Sequence, residues 1–274
     1  MTLPAKPLRA ITPFTVLKYQ RTLLSELTKR EILGRYRGAS IGLMWSLISP
    51  FLMLLIYTLA FGYILKSRWP GTSGSTTDFT LILFVGLIIH GFFAECLNRA
   101  PQLILSNVNY VKRVVFPLEI LPWSMVLSAL FHLTANSLVL LALKFVWHGE
   151  IFATTLLLPI VVLPLVILTL GVGWLVSALG VFLRDIGQFT GIMATAMFFL
   201  SSAIVPVSTL PANVRWIFLM NPLTFIIDQA REVVIWGHMP NWWSLSGYLL
   251  GTCLFAWFGF EMFQRLRKGF ADVL

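Results

Sequence analysis

Residues 31–50 read EILGRYRGASIGLMWSLISP. Arg35, Tyr36 and Arg37, followed by Gly38, stand directly ahead of an apolar run that continues to Leu65. A charged, aromatic, glycine-punctuated collar at the mouth of an apolar helix belongs where headgroups, water and hydrocarbon meet. The fold class follows from whether that run crosses a bilayer.

Composition says that it does. The chain has 274 residues, of which 58% are hydrophobic and 11% charged, and its mean hydropathy is +0.85. A soluble domain carries roughly a quarter charged residues. Several apolar runs here exceed the ~20 residues needed to span a bilayer, so a polytopic membrane protein is expected. The net charge of +9 is then a matter of topology and not a sign of nucleic-acid binding. The first 40 residues are polar and basic and lack the pattern of a cleavable signal peptide. Cys96 and Cys253 lie in apolar segments and are expected to be packing residues.

Outward from the collar, residues 14–34 have a helical pattern. Val16, Leu17, Leu23, Leu24 and Leu27 share one arc, and Lys18, Arg21, Ser25, Thr28 and Lys29 share the other. A basic amphipathic helix next to a span is expected to lie in the membrane interface. Six spans are expected, over 41–65, 79–105, 123–147, 152–183, 187–205 and 243–263. Orientation follows from the basic residues near span ends. With the N-terminus inside, 14 Lys and Arg side chains lie on the inner side, the N-terminal segment, Lys112, Arg113, Arg184 and the tail among them. Only Lys66, Arg68, Lys144, Arg215 and Arg231 lie on the other. Both termini are therefore expected in the cytoplasm.

Residues 206–241, on the outer side, are too apolar for a solvated loop and too broken to cross. Asn221–Pro222 predicts a helix opening at 222, because asparagine caps and proline suits the first turn. Pro211 opens the piece before it. Two short apolar helices predict a re-entrant pair in the outer leaflet, shielded by protein or lining a cavity.

No phosphate-binding G-x-x-x-x-G-K-[ST] loop occurs, and the chain has no Gly-Lys dipeptide. It cannot by itself be a P-loop ATPase. His90, His132, His148 and His238 show no metal-ligand spacing, and no hydrolase motif appears. No catalytic residue, metal or cofactor is therefore expected in the chain. His90, Glu95 and Arg99 share one helical face. Ionisable groups in a span suggest a structural ion pair, a lined pathway or a proton relay. The aromatic side chains Trp45, Tyr57, Phe61, Trp174, Phe198 and Phe199 sit within spans. Aromatic faces suit the apolar faces of sugars, and also suit lipid and helix packing.

Five stretches carry a family resemblance: RYRGASIGLMWSLISP at 35–50, VKRVVFPLEILP at 111–122, LRDIGQF at 183–189, MNPLTFIIDQAREV at 220–233 and KGFADVL at 268–274. Together they resemble the polysaccharide-exporting permeases of ABC transporters, most of all the O-antigen (lipopolysaccharide) branch, with capsule and teichoic-acid exporters as the alternative. The resemblance implies an all-α integral membrane subunit of six transmembrane helices, an N-terminal interface helix and two short re-entrant periplasmic helices, in the bacterial inner membrane. It also implies a homodimer with two copies of a separate ATP-binding subunit, which holds the ATP and magnesium, and a lipid-linked polysaccharide substrate.

The resemblance further implies roles for particular residues. Arg35, Tyr36 and Arg37 form the cytoplasmic substrate entrance. Trp45, Tyr57, Phe61, Phe198 and Phe199 line a channel between protomers. Lys112, Arg113, Phe116, Pro117 and Glu119 contact the ATPase. Pro211, Trp216, Asn221, Pro222, Arg231 and Glu232 belong to the periplasmic gate. Arg35 and Arg37 either meet a substrate pyrophosphate or anchor the helix to anionic headgroups. The rival classes are an integral-membrane enzyme acting on lipid-linked sugars, for which no convergent catalytic cluster is visible, and a proton-coupled transporter using Glu95.

Overall fold

The computed structural model describes residues 20–64, 69–70, 75–111 and 116–274. Among these residues there are eleven α-helices and no strand. The first, α1 (Arg21–Arg35), buries Leu24 and Leu27 and turns Arg21, Ser25 and Lys29 outward, the two arcs expected from the sequence. The expected first turns of this helix, before residue 20, lie outside the described residues. At its end Gly38 (φ 87°) and Gly42 (φ 51°) adopt left-handed conformations, which glycine reaches without steric cost. They reverse the chain into α2 (Trp45–Tyr57), which continues as a π-helical stretch, Thr58–Ile64.

The remaining helices are α3 (Thr76–Arg99), α4 (Val108–Val111), α5 (Ile120–His148), α6 (Leu158–Phe182), α7 (Ile186–Phe199), α8 (Ala212–Met220), α9 (Pro222–Arg231), α10 (Trp242–Arg267) and α11 (Phe270–Val273). Four helical stretches are long and apolar enough to cross a membrane: Gly42–Ile64, Thr76–Gln102, Ile120–His148 and Ala153–Phe182. They coincide with the first four expected spans. The last two differ from the simple expectation. Helix α7 has 14 residues, about 21 Å at 1.5 Å per residue, short of the ~30 Å hydrocarbon core. Residues 200–205, expected to complete it, form turns. Helix α10, with 26 residues, has the length, but tryptophan, serine and glycine lower its apolarity.

Burial is uneven. In α3 almost every residue from Phe79 to Phe93 is buried, making it the axis of the bundle, in contact with α5, α6, α7 and α9. In α2 only Leu54 is buried, while Phe51, Met53 and Ile56 are exposed. The broadest helix–helix contact joins α6 to α10. A β-carbon on Gly171 would lie 2.6 Å from the Ala256 Cα, and one on Gly259 would strike the Gly171 carbonyl oxygen. Small residues there let the backbones touch, as in membrane helix pairs generally.

Candidate functional site

The collar closes onto the bundle through a polar network of three helices. Glu31 and Arg35 are one turn apart on α1, and Glu95 and Arg99 are one turn apart on α3. Arg99 Nη2 donates to Glu31 Oε2 at 2.6 Å, and its Nη1 donates to Glu95 Oε1 at 3.2 Å. Arg35 Nη1 donates to Glu95 Oε1 at 2.7 Å and to His132 Nδ1 of α5, also at 2.7 Å. His132 Nδ1 also lies 3.1 Å from Glu95 Oε2, so one ring nitrogen faces both the guanidinium and the carboxylate. Ser124 of α5 donates to Glu31 Oε1 at 2.8 Å. Two carboxylates thus face two guanidiniums, so each buried charge has a partner, the condition under which charges survive in a low-dielectric interior.

Beside the network lies a cavity of about 380 Å³ bounded by the collar, α2, α3 and α5, in the size range of small-molecule sites. Arg35, Tyr36, Trp45, Tyr57, Glu95 and His132 are among its lining residues. Tyr36 stands edge-on to His132, with centroids 5.9 Å apart. Arg37 is exposed and forms no ion pair among the described residues. The collar is therefore divided: Arg35 reaches into the bundle and Arg37 faces out. His90, expected on the Glu95 face, also lines this cavity, and its ring meets the Ala194 carbonyl of α7 at 2.9 Å and the Phe198 ring at 4.8 Å.

Four of the five candidate aromatic residues meet. Tyr57 stacks on Phe61 at 6.1 Å and meets Phe198 edge-on at 6.2 Å, and Phe198 contacts Phe199 at 5.4 Å. The row joins α2 to α7. Trp45 lies apart, at the other end of α2, and lines the cavity. Trp174 is fully buried and bonds the Glu119 carbonyl at 3.2 Å, so it is a core residue.

In the connector before α5, Lys112 and Arg113 lie outside the described residues. Its two ends are held together. Tyr110 stacks on Phe116 with centroids 4.2 Å apart, and Arg30 of α1 donates to the Tyr110 hydroxyl at 2.5 Å. Pro117 is half-buried. Glu119, expected to face a partner, is 3% exposed and accepts from Arg267 Nη1 at 2.7 Å. Its carboxylate is paired within the chain.

The stretch 206–241 has the expected breaks. Helix α9 opens at Pro222, and Asn221 caps it, accepting from Leu223 N–H at 3.0 Å. The same side chain donates to the Met197 and Leu200 carbonyls at the end of α7. Arg231 is 2% exposed and donates to three carbonyls, of Ile82, Ser202 and Ala203, at 3.1, 2.7 and 2.9 Å. Pro211 precedes α8, and Trp216 on it is exposed. Glu232 pairs with His238 at 2.7 Å.

Sequence reasoning missed Glu31, Ser124, His132, Arg30 and Arg267 as partners. One signal was present: opposite charges four residues apart on both α1 and α3, in the same order. Among the described residues no group of three or more His, Cys, Asp or Glu side chains has the arrangement of a metal site.

Known proteins resemble the chain over almost its full length. It is 27% identical over 259 residues to the O-antigen export system permease protein RfbA of Klebsiella pneumoniae, covering 94% of this chain and 97% of that protein. It is 27% identical to the polysialic acid transport protein KpsM of Escherichia coli, over 89% and 93% of the two chains. To the capsule polysaccharide export inner-membrane protein CtrC of Neisseria meningitidis it is 22% identical, over 92% and 94%. Residues 22–235, from the collar helix to the π-helical turn that follows α9, match the family described as ABC-2 type transporter, and the chain belongs to that family of membrane transport proteins.

Proposed function

We propose that this chain is the permease subunit of an ATP-driven exporter that moves a lipid-linked polysaccharide across the bacterial inner membrane, with O-antigen as the cargo. The similarity to an O-antigen export permease over 94% of the chain carries this reading. The similarity to polysialic acid and capsule exporters favours a capsule polysaccharide as the second reading.

In this reading the whole chain, 1–274, is one transmembrane domain of six spans with both termini in the cytoplasm. Helices α7 and α10 complete the six, and α8 and α9 form the re-entrant pair at the outer face. Two copies form the channel, with the aromatic row of α2 and α7 along its wall. Two separate ATP-binding subunits, which carry the ATP and magnesium, dock at the connector containing Lys112 and Arg113. The tight base of that connector passes their motion to α1 through Arg30 and to α10 through Arg267. No reaction on the sugar itself is assigned to the chain.

Arg35, Tyr36 and Arg37 form the substrate entrance. Arg37 is free to meet phosphate oxygens, and guanidinium offers them paired donors. The test is to disrupt the gene in its host and follow surface polysaccharide. Loss of O-antigen from the surface, with accumulation inside on its lipid carrier, supports the reading. Loss of capsule alone selects the second reading, and unchanged surface glycans refute both. The Arg35→Lys and Arg37→Lys double variant keeps both charges and removes the forks, and is expected to export several-fold more slowly. Undiminished export would leave these arginines as membrane anchors only.

A further inference from the structure

Arg35 is held in an unusual way for a residue at the mouth of a helix bundle. Both of its inward hydrogen bonds leave from one nitrogen, Nη1. Among the described residues neither Nε nor Nη2 donates to anything. Nε–H and the adjacent Nη2–H form the side-on fork of a guanidinium, on the edge away from Nη1, and that fork matches two oxygens of a phosphate. The residue is also split by burial. Its side chain is 47% exposed, whereas its partners Glu95 and His132 are 14% and 10% exposed. Nη1 is held by the bundle, and Arg35 is among the residues that line the 380 Å³ cavity.

We infer that Glu95 and His132 are positioning residues for an anion site. They hold Arg35 by Nη1 so that its Nε/Nη2 fork faces outward, preset for a phosphate or diphosphate ester at the rim of the cavity. Three further observations fit. Glu95 keeps a second cationic partner, Arg99, so its charge stays compensated however tightly Arg35 engages a ligand. Arg37, two residues on and without an ion pair among the described residues, supplies positive charge that the balanced network lacks. Position 34 is glycine with nothing within 4 Å of where a β-carbon would stand, which leaves the approach open. The inference rests on the proposed role of the collar and adds which buried residues make it work. A pre-oriented arginine loses less freedom on binding, which is the usual source of affinity from rigidity.

The experiment exploits an opposition of signs. Removing a negative charge next to an anion site strengthens anion binding by simple electrostatics. Loss of positioning weakens it. The full-length protein in neutral phosphatidylcholine nanodiscs would be titrated with farnesyl diphosphate, and the titration repeated in nanodiscs containing phosphatidylglycerol.

Glu95→Gln is expected to bind farnesyl diphosphate about tenfold more weakly, despite the lost negative charge. His132→Leu is expected to do the same. His132→Asn, whose Oδ1 stands near the position of Nδ1, is expected to keep the affinity, and guards against misfolding of the other two. Phosphatidylglycerol that fails to compete identifies a carrier diphosphate as the ligand, and full competition identifies a bilayer headgroup at the same fork. Unchanged or tighter binding by both Glu95→Gln and His132→Leu, with weaker binding by Arg35→Lys, would overturn the positioning role and leave the entrance reading intact. No effect of Arg35→Lys on either ligand would overturn the phosphate reading of this arginine altogether.

Discussion

Arg267 Nη1 and Glu119 Oε2 lie 2.7 Å apart, so the last long helix is tied to the residue that precedes α5. Arg267 Nη2 also reaches the Phe116 carbonyl, at 3.3 Å. Glu119 is almost fully buried, and a buried charge stripped of its partner costs roughly 3–5 kcal/mol. Arg267→Ala should therefore lower thermal stability well beyond an ordinary surface change. The Glu119→Gln, Arg267→Met pair should recover most of the loss, because no charge is then orphaned. A thermal unfolding series of the two single variants and the double variant checks this. Simple additivity would show that the two side chains do not interact.

Asn221 ends one helix and begins another. Its amide donates to two carbonyls of the α7 terminus and its oxygen accepts from the start of α9. Asn221→Ala should cost roughly 2–4 kcal/mol, from one lost cap and two carbonyls left unpaired in a buried position. Asn221→Asp keeps the cap but repels both carbonyls, and should be at least as damaging. Proteolysis between α7 and α8 in mild detergent reads the loosening directly.

Arg231 anchors the bend at residues 202–203 to α3. Lysine has one nitrogen where arginine has three, and cannot reach three carbonyls on different elements. Arg231→Lys should therefore be destabilised by roughly 2 kcal/mol or more although the charge is unchanged. An equal melting temperature for this variant and the parent would mean that charge alone matters there.

Gly259 and Gly251 on α10 give an internal comparison. A β-carbon at 259 runs into the Gly171 carbonyl, whereas one at 251 meets nothing within 4 Å. Gly259→Ala should separate α6 from α10 and cost about 1–3 kcal/mol. Gly251→Ala should be neutral or stabilising by up to about 1 kcal/mol, since alanine favours helix. Melting curves of the two variants in the same detergent are the measurement.

Much of this architecture is legible in the sequence, for reasons that differ by element. The first four spans are legible because apolarity and length are local properties. The opening of α9 at Pro222 is legible because a cap is written in two adjacent residues. The early end of α7 is not. Residues 200–205 are apolar enough to continue a helix, and what stops them is Arg231, whose guanidinium holds the carbonyls of Ser202 and Ala203 from about 30 positions away. The collar shows the same limit. Arg35 and Arg37 look equivalent in RYRG, but only Arg35 meets Glu95 and His132, 60 and 97 residues later in the chain. Glu119 reads as a surface charge in the connector and is buried, because its partner Arg267 comes from the far end of the chain.

Helix α2 buries one leucine along its length. Elsewhere it is fastened near its two ends: by the glycine turn and collar below, and by the Thr58 hydroxyl, 3.2 Å from that of Thr80, above. In oil there is no hydrophobic drive to exchange lipid for a neighbour, so lateral displacement of this helix costs less cohesion than moving a helix buried on all sides. Helix α3 has no such freedom, because nearly every residue from Phe79 to Phe93 would have to leave a packed neighbour.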